Sequence, residues 1–319
     1  MLGQKVKNGI GDHKMTDLEE TKRDVVATIR NNGPLLGKEL ADLLPEQNYL
    51  KLWQACFTSS EVLISYFSRY YLRYDITRED SVRLSPSILR DFLSFTLFSL
   101  SDQRDQVIDR QVTLSNHHRQ VSMQKLRIAR SILRQIMRKI PAQYHQIIAA
   151  FIAGDIAYFL AHREPREVAS IGEMVNGSDI DIIIVHDGLP DEYIELIDTE
   201  MMSFKLYYIR HPDYREEVDY ICKSKPTMFG QLAYQNIDQK IASKIAYEAI
   251  FLAGSVELFA EIKNQVEASG TQDLIERDFL HGLEDRKQAM HTLLNVDADK
   301  LDKNTESLFF FSQERVEFQ

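Results

Sequence analysis

Cysteine is nearly missing: Cys56 and Cys222 are the two cysteines in 319 residues, and they lie far apart in the chain. That excludes a disulfide scaffold and a thiolate metal cage, and it points to a reducing, cytoplasmic setting. Long apolar runs are missing as well. The most apolar stretch, Ile147 to Leu160, is broken by Gly154 and Asp155, and it falls short of the roughly 18–20 residues a membrane-spanning helix requires. Residues Met1 to Lys7 lack the apolar run of a secretory signal. Positive charge is in deficit, with 38 Lys and Arg against 48 Asp and Glu and a net charge of −10. A protein that coats nucleic acid by bulk electrostatics is thereby excluded. Three common catalytic signatures are absent too: the Gly-x-x-x-x-Gly-Lys-Ser/Thr loop, the His-Glu-x-x-His helix and the Gly-x-Ser-x-Gly elbow.

What is there divides by pattern. Residues 1–15 read as a flexible leader, 16–140 as a helical N-terminal region, 141–235 as a mixed core and 236–319 as a C-terminal helical region. Asp17-Leu18-Glu19-Glu20 offers a helix N-cap. Leu36, Leu40, Leu43 and Leu44 recur at helical spacing before Pro45. The run Leu52 to Tyr74 is expected as a buried helix, with Tyr70-Tyr71-Leu72-Arg73-Tyr74 as core aromatics, and Ser85-Pro86-Ser87 as the cap of a helix through Leu100. His117 and His118 are adjacent in a helical region, where neighbours point to different faces, so they are not expected to share a metal. From Gln111 to Gly154 there is no acidic residue at all. Within that stretch Arg127, Arg130, Arg134 and Arg138 stand three, four and four apart, beside Ile128, Ile132, Ile136 and Ile140. The pattern predicts an amphipathic helix with an arginine stripe next to its apolar face. That stripe is either a solvated face or a docking surface for an acidic or phosphate-bearing partner.

Beyond Pro141 strands are expected. Ile147 to Ala153 suits a short buried strand or a helix end, and Gly154-Asp155 a turn into a short helix, Ile156 to His162. Ile180 to Val185 is a β-branched run bounded by Gly-Ser and Asp-Gly, hence a strand. Asp191 to Met202 reads as helix, Val218 to Cys222 as strand, Ile237 to Leu252 and Val256 to Val266 as helices. The chemistry concentrates at the start of the Ile180 run. In Gly177-Ser178-Asp179-Ile180-Asp181, period-two alternation puts both aspartates on one face. Two such carboxylates repel unless a cation lies between them. Oxygen ligands at a strand mouth suit Mg2+ or Mn2+. The plainer reading has one Asp capping the turn and the other merely exposed. A third acid, Asp219 in Glu216-Glu217-Val218-Asp219-Tyr220, opens the next strand after an intervening helix.

With its Ser178-Asp179-Ile180-Asp181 element and Asp219 as a third acid, the stretch of about 145–265 resembles the DNA polymerase β-like nucleotidyltransferase superfamily. The resemblance implies an α+β fold, with a small mixed β-sheet nucleotidyltransferase core flanked by the helical N-terminal region and C-terminal helices. It also implies Asp179, Asp181 and Asp219 as catalytic metal ligands for Mg2+ or Mn2+. The substrate would be a nucleoside triphosphate, ATP first among them. Gly154 and Ser178 would cradle phosphate, with Lys240 and Lys244 pairing with the β- or γ-phosphate. The helices over Lys240 to Ile262, with Phe251 to Phe259, look like those that follow this core. One departure stands out. The family's glycine motif is Gly-Gly or Gly-Ser about a dozen residues before the aspartates, whereas Gly154-Asp155 lies further upstream and carries an acid. Ile171-Gly172-Glu173 lies too close, so Gly154 is the better match, with Arg163 to Gly172 as an insertion. The implied activity moves a nucleoside monophosphate to a hydroxyl on a protein, small molecule, nucleotide or RNA end. The rival reading is a catalytically inactive module of the same fold, such as one partner of a toxin–antitoxin or phage-defence pair.

Overall fold

The computed structural model describes residues 10–46, 48–74, 82–168, 171–311 and 314. The chain folds as an α+β protein in two compact units, each assembled from separated stretches. Among the described residues, one unit falls within 10–70, 86–115 and 284–314, and the other within 71–85 and 116–283. No described helix is long and apolar enough to cross a membrane.

The first unit holds helices Ile10–Asn32, Gly37–Leu43 and Tyr49–Thr58 around a small antiparallel sheet in the order Leu35–Leu36, Thr96–Ser99, Leu63–Tyr66. Asn48 caps the Tyr49 helix, its side-chain oxygen accepting from the Leu50 and Lys51 N–H groups at 3.0 and 3.1 Å. Trp53, Phe92, Leu93, Leu97 and Phe98 are buried, and the Phe98 ring meets Phe57 and Phe92 edge to face.

The second unit is built on a four-stranded mixed sheet in the order Val218–Ser224, Ile180–His186, Ile148–Ile152, Ile250–Gly254. The first two strands run parallel, and the remaining pairings are antiparallel. Period-two alternation sorts its residues into two cores. Ile148, Ala150, Ile152, Ile180, Ile182 and Ile184 pack on one face with Ile132 and Ile136 of the arginine-bearing helix and with Ile197 and Met201 of helix Asp191–Arg210. Ala149, Phe151, Ile183 and Val185 pack on the other with Met228, Ala246, Leu258 and Ile262. Under the first core lies an ion pair: Lys125, 1% exposed, reaches Glu216 and donates to the Asn176 carbonyl at 2.8 Å. Burial lowers the Lys125 pKa and raises that of Glu216, each opposed by its partner's charge.

Several expectations change. The helix containing Asp17 already begins at Ile10, so Asp17 is interior to it and residues 10–15 are no leader; residues 1–9 lie outside the described residues. The region 16–140 carries strands as well as helices. Leu52 to Tyr74 is a helix ending at Thr58 followed by strands Leu63–Tyr66 and Tyr71–Tyr74. Aromatic and β-branched side chains favour a pleated surface there, and the Ser59-Ser60 break separates them from the helix. Ser87 does cap a helix, its Oγ accepting from Arg90 N at 3.0 Å. That helix is only Ile88–Arg90, passing through a π-turn, Asp91–Phe95, into the strand Thr96–Ser99. The short helix after Gly154 is Asp155–Tyr158. Helix Ile237–Glu248 stops before Ile250, and Ile250–Gly254 is the fourth strand of the sheet. An apolar run of five residues reads alike as helix or strand, and here the open edge of the Ile148 strand claims it. The Ile147 run is a strand, Ile148–Ile152, and the strands at 180 and 218 stand where the pattern put them.

Candidate functional site

The parallel register sets Asp219 directly opposite Asp181. Their side chains therefore leave neighbouring strands on the same side, at the end where both strands begin. Both line a pocket of about 330 Å3, together with Arg73, Tyr74, Gly154, Lys244 and Glu248. Asp181 makes no hydrogen bond or ion pair among the described residues, and it is open to the pocket. Withdrawal from bulk water, followed by the Asp219 carboxylate beside it, pushes its carboxyl up to about 6 against the pull of Lys244. Lys244 is held by Glu248 at 2.7 Å and stands over the Tyr71 ring at 4.9 Å.

Around this pocket the other expected residues separate. Gly177 has φ +67, and a Cβ there would run into the His162 carbonyl, so the tight turn before the aspartates demands glycine. The Ser178 hydroxyl donates to Asp155 Oδ2 at 2.8 Å and accepts from His162 N at 3.2 Å. Asp155 also accepts from Tyr71 at 2.5 Å, and Tyr71 stacks on Tyr158 at 4.6 Å. Gly154, with φ +72, sits between strand and short helix as expected, and its N–H donates to Glu248 at 2.9 Å. The donors of the glycine turn and of Ser178 thus serve to tie this turn to its surroundings.

Asp179 does not line the pocket. It meets Arg166, whose guanidinium also donates to Glu217 at 2.6 Å and to the Gly177 carbonyl at 2.9 Å. The buried Asp179 Oδ1 nevertheless makes no directed hydrogen bond. Arg166 belongs to a hairpin, Pro165–Val168 with Glu173–Asn176, whose first strand lies in the stretch read as an insertion. Lys205 of the Asp191–Arg210 helix reaches Asp219. Lys240 leaves the pocket for Asp278, at 3.6 Å, and stands over Tyr234 at 5.5 Å.

The fold therefore unites Asp181, Asp219, Lys244 and Gly154, and holds Asp179, Ser178 and Lys240 apart from them. Sequence reasoning missed Asp155, Arg166, Lys205, Tyr71 and Glu248. Arg166 and Lys205 carried one usable signal, as cations on elements flanking an acid-rich strand edge. Tyr71 and Glu248 carried none, since they arrive from distant segments. Among the described residues no three His, Cys, Asp or Glu side chains gather into a ready metal cage. Two facing carboxylates suffice for Mg2+, which is commonly held by one or two carboxylates together with waters and substrate phosphates. Asp179, ion-paired with Arg166, stands just before the same strand and outside the pocket. The residues present thus fit a hard divalent cation in kind.

No protein-family model, curated protein or solved structure matches this chain.

Proposed function

We propose that the second unit is a metal-dependent nucleotidyltransferase. It moves a nucleoside monophosphate, AMP first among candidates, from a nucleoside triphosphate to a hydroxyl on a protein, small molecule, nucleotide or RNA end. The observation that carries this reading is the facing pair Asp181 and Asp219, at a strand mouth inside a pocket that also holds Lys244. The resemblance to polymerase β-like nucleotidyltransferases over Ser178-Asp179-Ile180-Asp181 supports it.

Asp181 and Asp219 would hold Mg2+ or Mn2+, with Asp179 contributing once Arg166 releases it. When bound there, such a cation would neutralise triphosphate charge and lower the pKa of an attacking hydroxyl. Lys244 offers a positive charge to the phosphate tail, and exchanging Glu248 for phosphate would free it to do so. Tyr74, Tyr220, Ile241 and Ile245 give the pocket an apolar wall for a base. In the transfer, the acceptor oxygen forms a bond to the α-phosphorus as the bond to the bridging oxygen of pyrophosphate breaks. The acceptor proton passes to a carboxylate or to water. Placement of the protein in the cytoplasm belongs to the same reading.

A second reading has support of its own. Arg166 and Lys205 already neutralise Asp179 and Asp219, and Asp155 stands where the resemblance calls for a small residue. On that reading the unit is a catalytically inactive module of the same fold.

The deciding experiment offers α-phosphate-labelled ATP, CTP, GTP and UTP with Mg2+ or Mn2+ to the wild type and to a folded Asp181→Asn/Asp219→Asn variant. Label in protein, RNA or a soluble product, falling to background in the variant, is the expected result. Without label, a rise in Tm with ATP only when Mg2+ is present supports the inactive module. Silence in both sinks the pocket as a nucleotide site.

A further inference from the structure

The second unit has another concave site, at the opposite end of its sheet. Arg130, Arg134 and Arg138 line a cavity of about 400 Å3 together with Met137, His145 and Gly254. Gly254 pairs with Ala149, and Ala149 with Val185. Asp181 lies four residues back along that strand, roughly 13 Å away at about 3.3 Å per residue. The groove is therefore separate from the carboxylate pocket, and it shares no lining residue with it.

Its arginines are a row. Arg130, Arg134 and Arg138 succeed one another by about 6 Å of helical rise, and Arg127 extends the row to about 16 Å. All four are exposed, and none makes a side-chain hydrogen bond or ion pair among the described residues. Lys139, next to Arg138 in the chain, is paired with Glu200 at 2.5 Å, and among the described residues no acidic side chain lines the groove. A helix C-terminus welcomes cations, and helix Arg104–Met137 ends here. That effect fades beyond the last turn, so it accounts for Arg134 and Arg138 and leaves Arg127 and Arg130 unexplained. Like charges at this spacing repel one another, and a protein of net charge −10 has ample carboxylate with which to balance them.

We propose that this groove binds a ligand carrying two or more phosphate groups in succession. All four cations are arginine, whose planar fork takes a phosphate through two parallel N–H donors, where lysine offers only a point charge. The row presents such forks at intervals of one turn. Met137 gives the groove an apolar flank, and the His145 Nε2 is engaged with the Met137 and Ile140 carbonyls at 2.8 and 2.9 Å, which fixes that ring in the wall. Two sources offer this chemistry, a small polyphosphate and a single RNA strand.

The test uses inorganic tripolyphosphate by calorimetry and a labelled eight-nucleotide RNA by fluorescence anisotropy, both in EDTA to silence metal-dependent binding. The wild type is compared with Arg130→Gln/Arg134→Gln/Arg138→Gln, with the matching triple lysine variant and with Asp181→Asn/Asp219→Asn. Binding of either probe should weaken at least tenfold in the glutamine variant, recover in part with lysine and persist in the aspartate variant. The probe that binds identifies the source. If it is RNA, losing three phosphate contacts should lower the slope of log K against log salt by about 2. Binding that survives the glutamine variant overturns the proposal. So does failure of both probes, or equal binding of a polyglutamate peptide, which would make the groove an acidic-protein site. Because the three substituted arginines are exposed, unchanged Tm in the variants separates lost binding from lost fold. Survival of binding in the aspartate variant keeps this outcome independent of the transferase reading.

Discussion

Asp91 in the first unit and Asp181 in the second are aspartates with opposite surroundings, one buried and one open to a pocket. Asp91 is 3% exposed and accepts from Ser68 at 2.9 Å, Tyr70 at 2.6 Å and Arg286 at 2.8 Å. Arg286 in turn donates to the Pro86 carbonyl at 2.8 Å and lies over the Tyr70 ring. Such a charge is compensated from every side and braces its unit. Asp181 has no such partner, faces Asp219 and looks into a cavity. The difference separates a structural charge from a charge held ready for something that arrives later.

The largest effect should come from breaking the braced charge. Asp91→Ala leaves Arg286 buried and unpaired, and should cost about 3–5 kcal/mol, read as a lower urea midpoint. Asp181→Asn, in contrast, relieves repulsion with Asp219 and should leave the metal-free protein as stable as the wild type or slightly more so. An equal loss in both variants would erase the distinction drawn between them.

A smaller effect sharpens the comparison from the side of a base. His118 is buried, and burial lowers its pKa below the ordinary 6.5 despite the Ala161 carbonyl and the Glu164 charge, which favour the proton. The folded state thus holds it neutral while the unfolded chain takes up a proton below pH 6.5. Stability should fall as pH drops through 6.5, with a slope of at most about 1.4 kcal/mol per pH unit for one proton. His118→Gln should flatten that slope in urea titrations between pH 8 and 5. An unchanged slope would assign the acid sensitivity to other groups.

Much of the second unit was legible. The Ile180–His186 and Val218–Ser224 strands, the helix starting at Asp191 and the arginine-striped helix all follow from period and β-branched content. Gly177 could be read as a tight turn, although the His162 carbonyl that enforces it is invisible in sequence. The first unit was far less legible. Leu63–Tyr66, Tyr71–Tyr74 and Thr96–Ser99 are four-residue strands inside aromatic runs, too short for period two to separate from period 3.6. At the site, alternation predicts that Asp179 joins Asp181, but the strand begins at Ile180 and Asp181 alone of the two lines the pocket. Arg166, arriving on a hairpin from outside the motif, then drew Asp179 away.

The sequence by itself determined where carboxylates and arginines concentrate, because backbone period and side-chain type are local properties. It also determined the mixed α+β character of the second unit and the face each strand residue takes. Tertiary structure alone decided which acids meet. Strand register put Asp219 against Asp181, and long-range contacts brought Lys244 and Glu248 to the pocket and Tyr71 beneath Lys244, while giving Arg166 to Asp179 and Lys205 to Asp219. Pairing across tens of residues depends on packing and register, and neither is written in any single stretch of the chain.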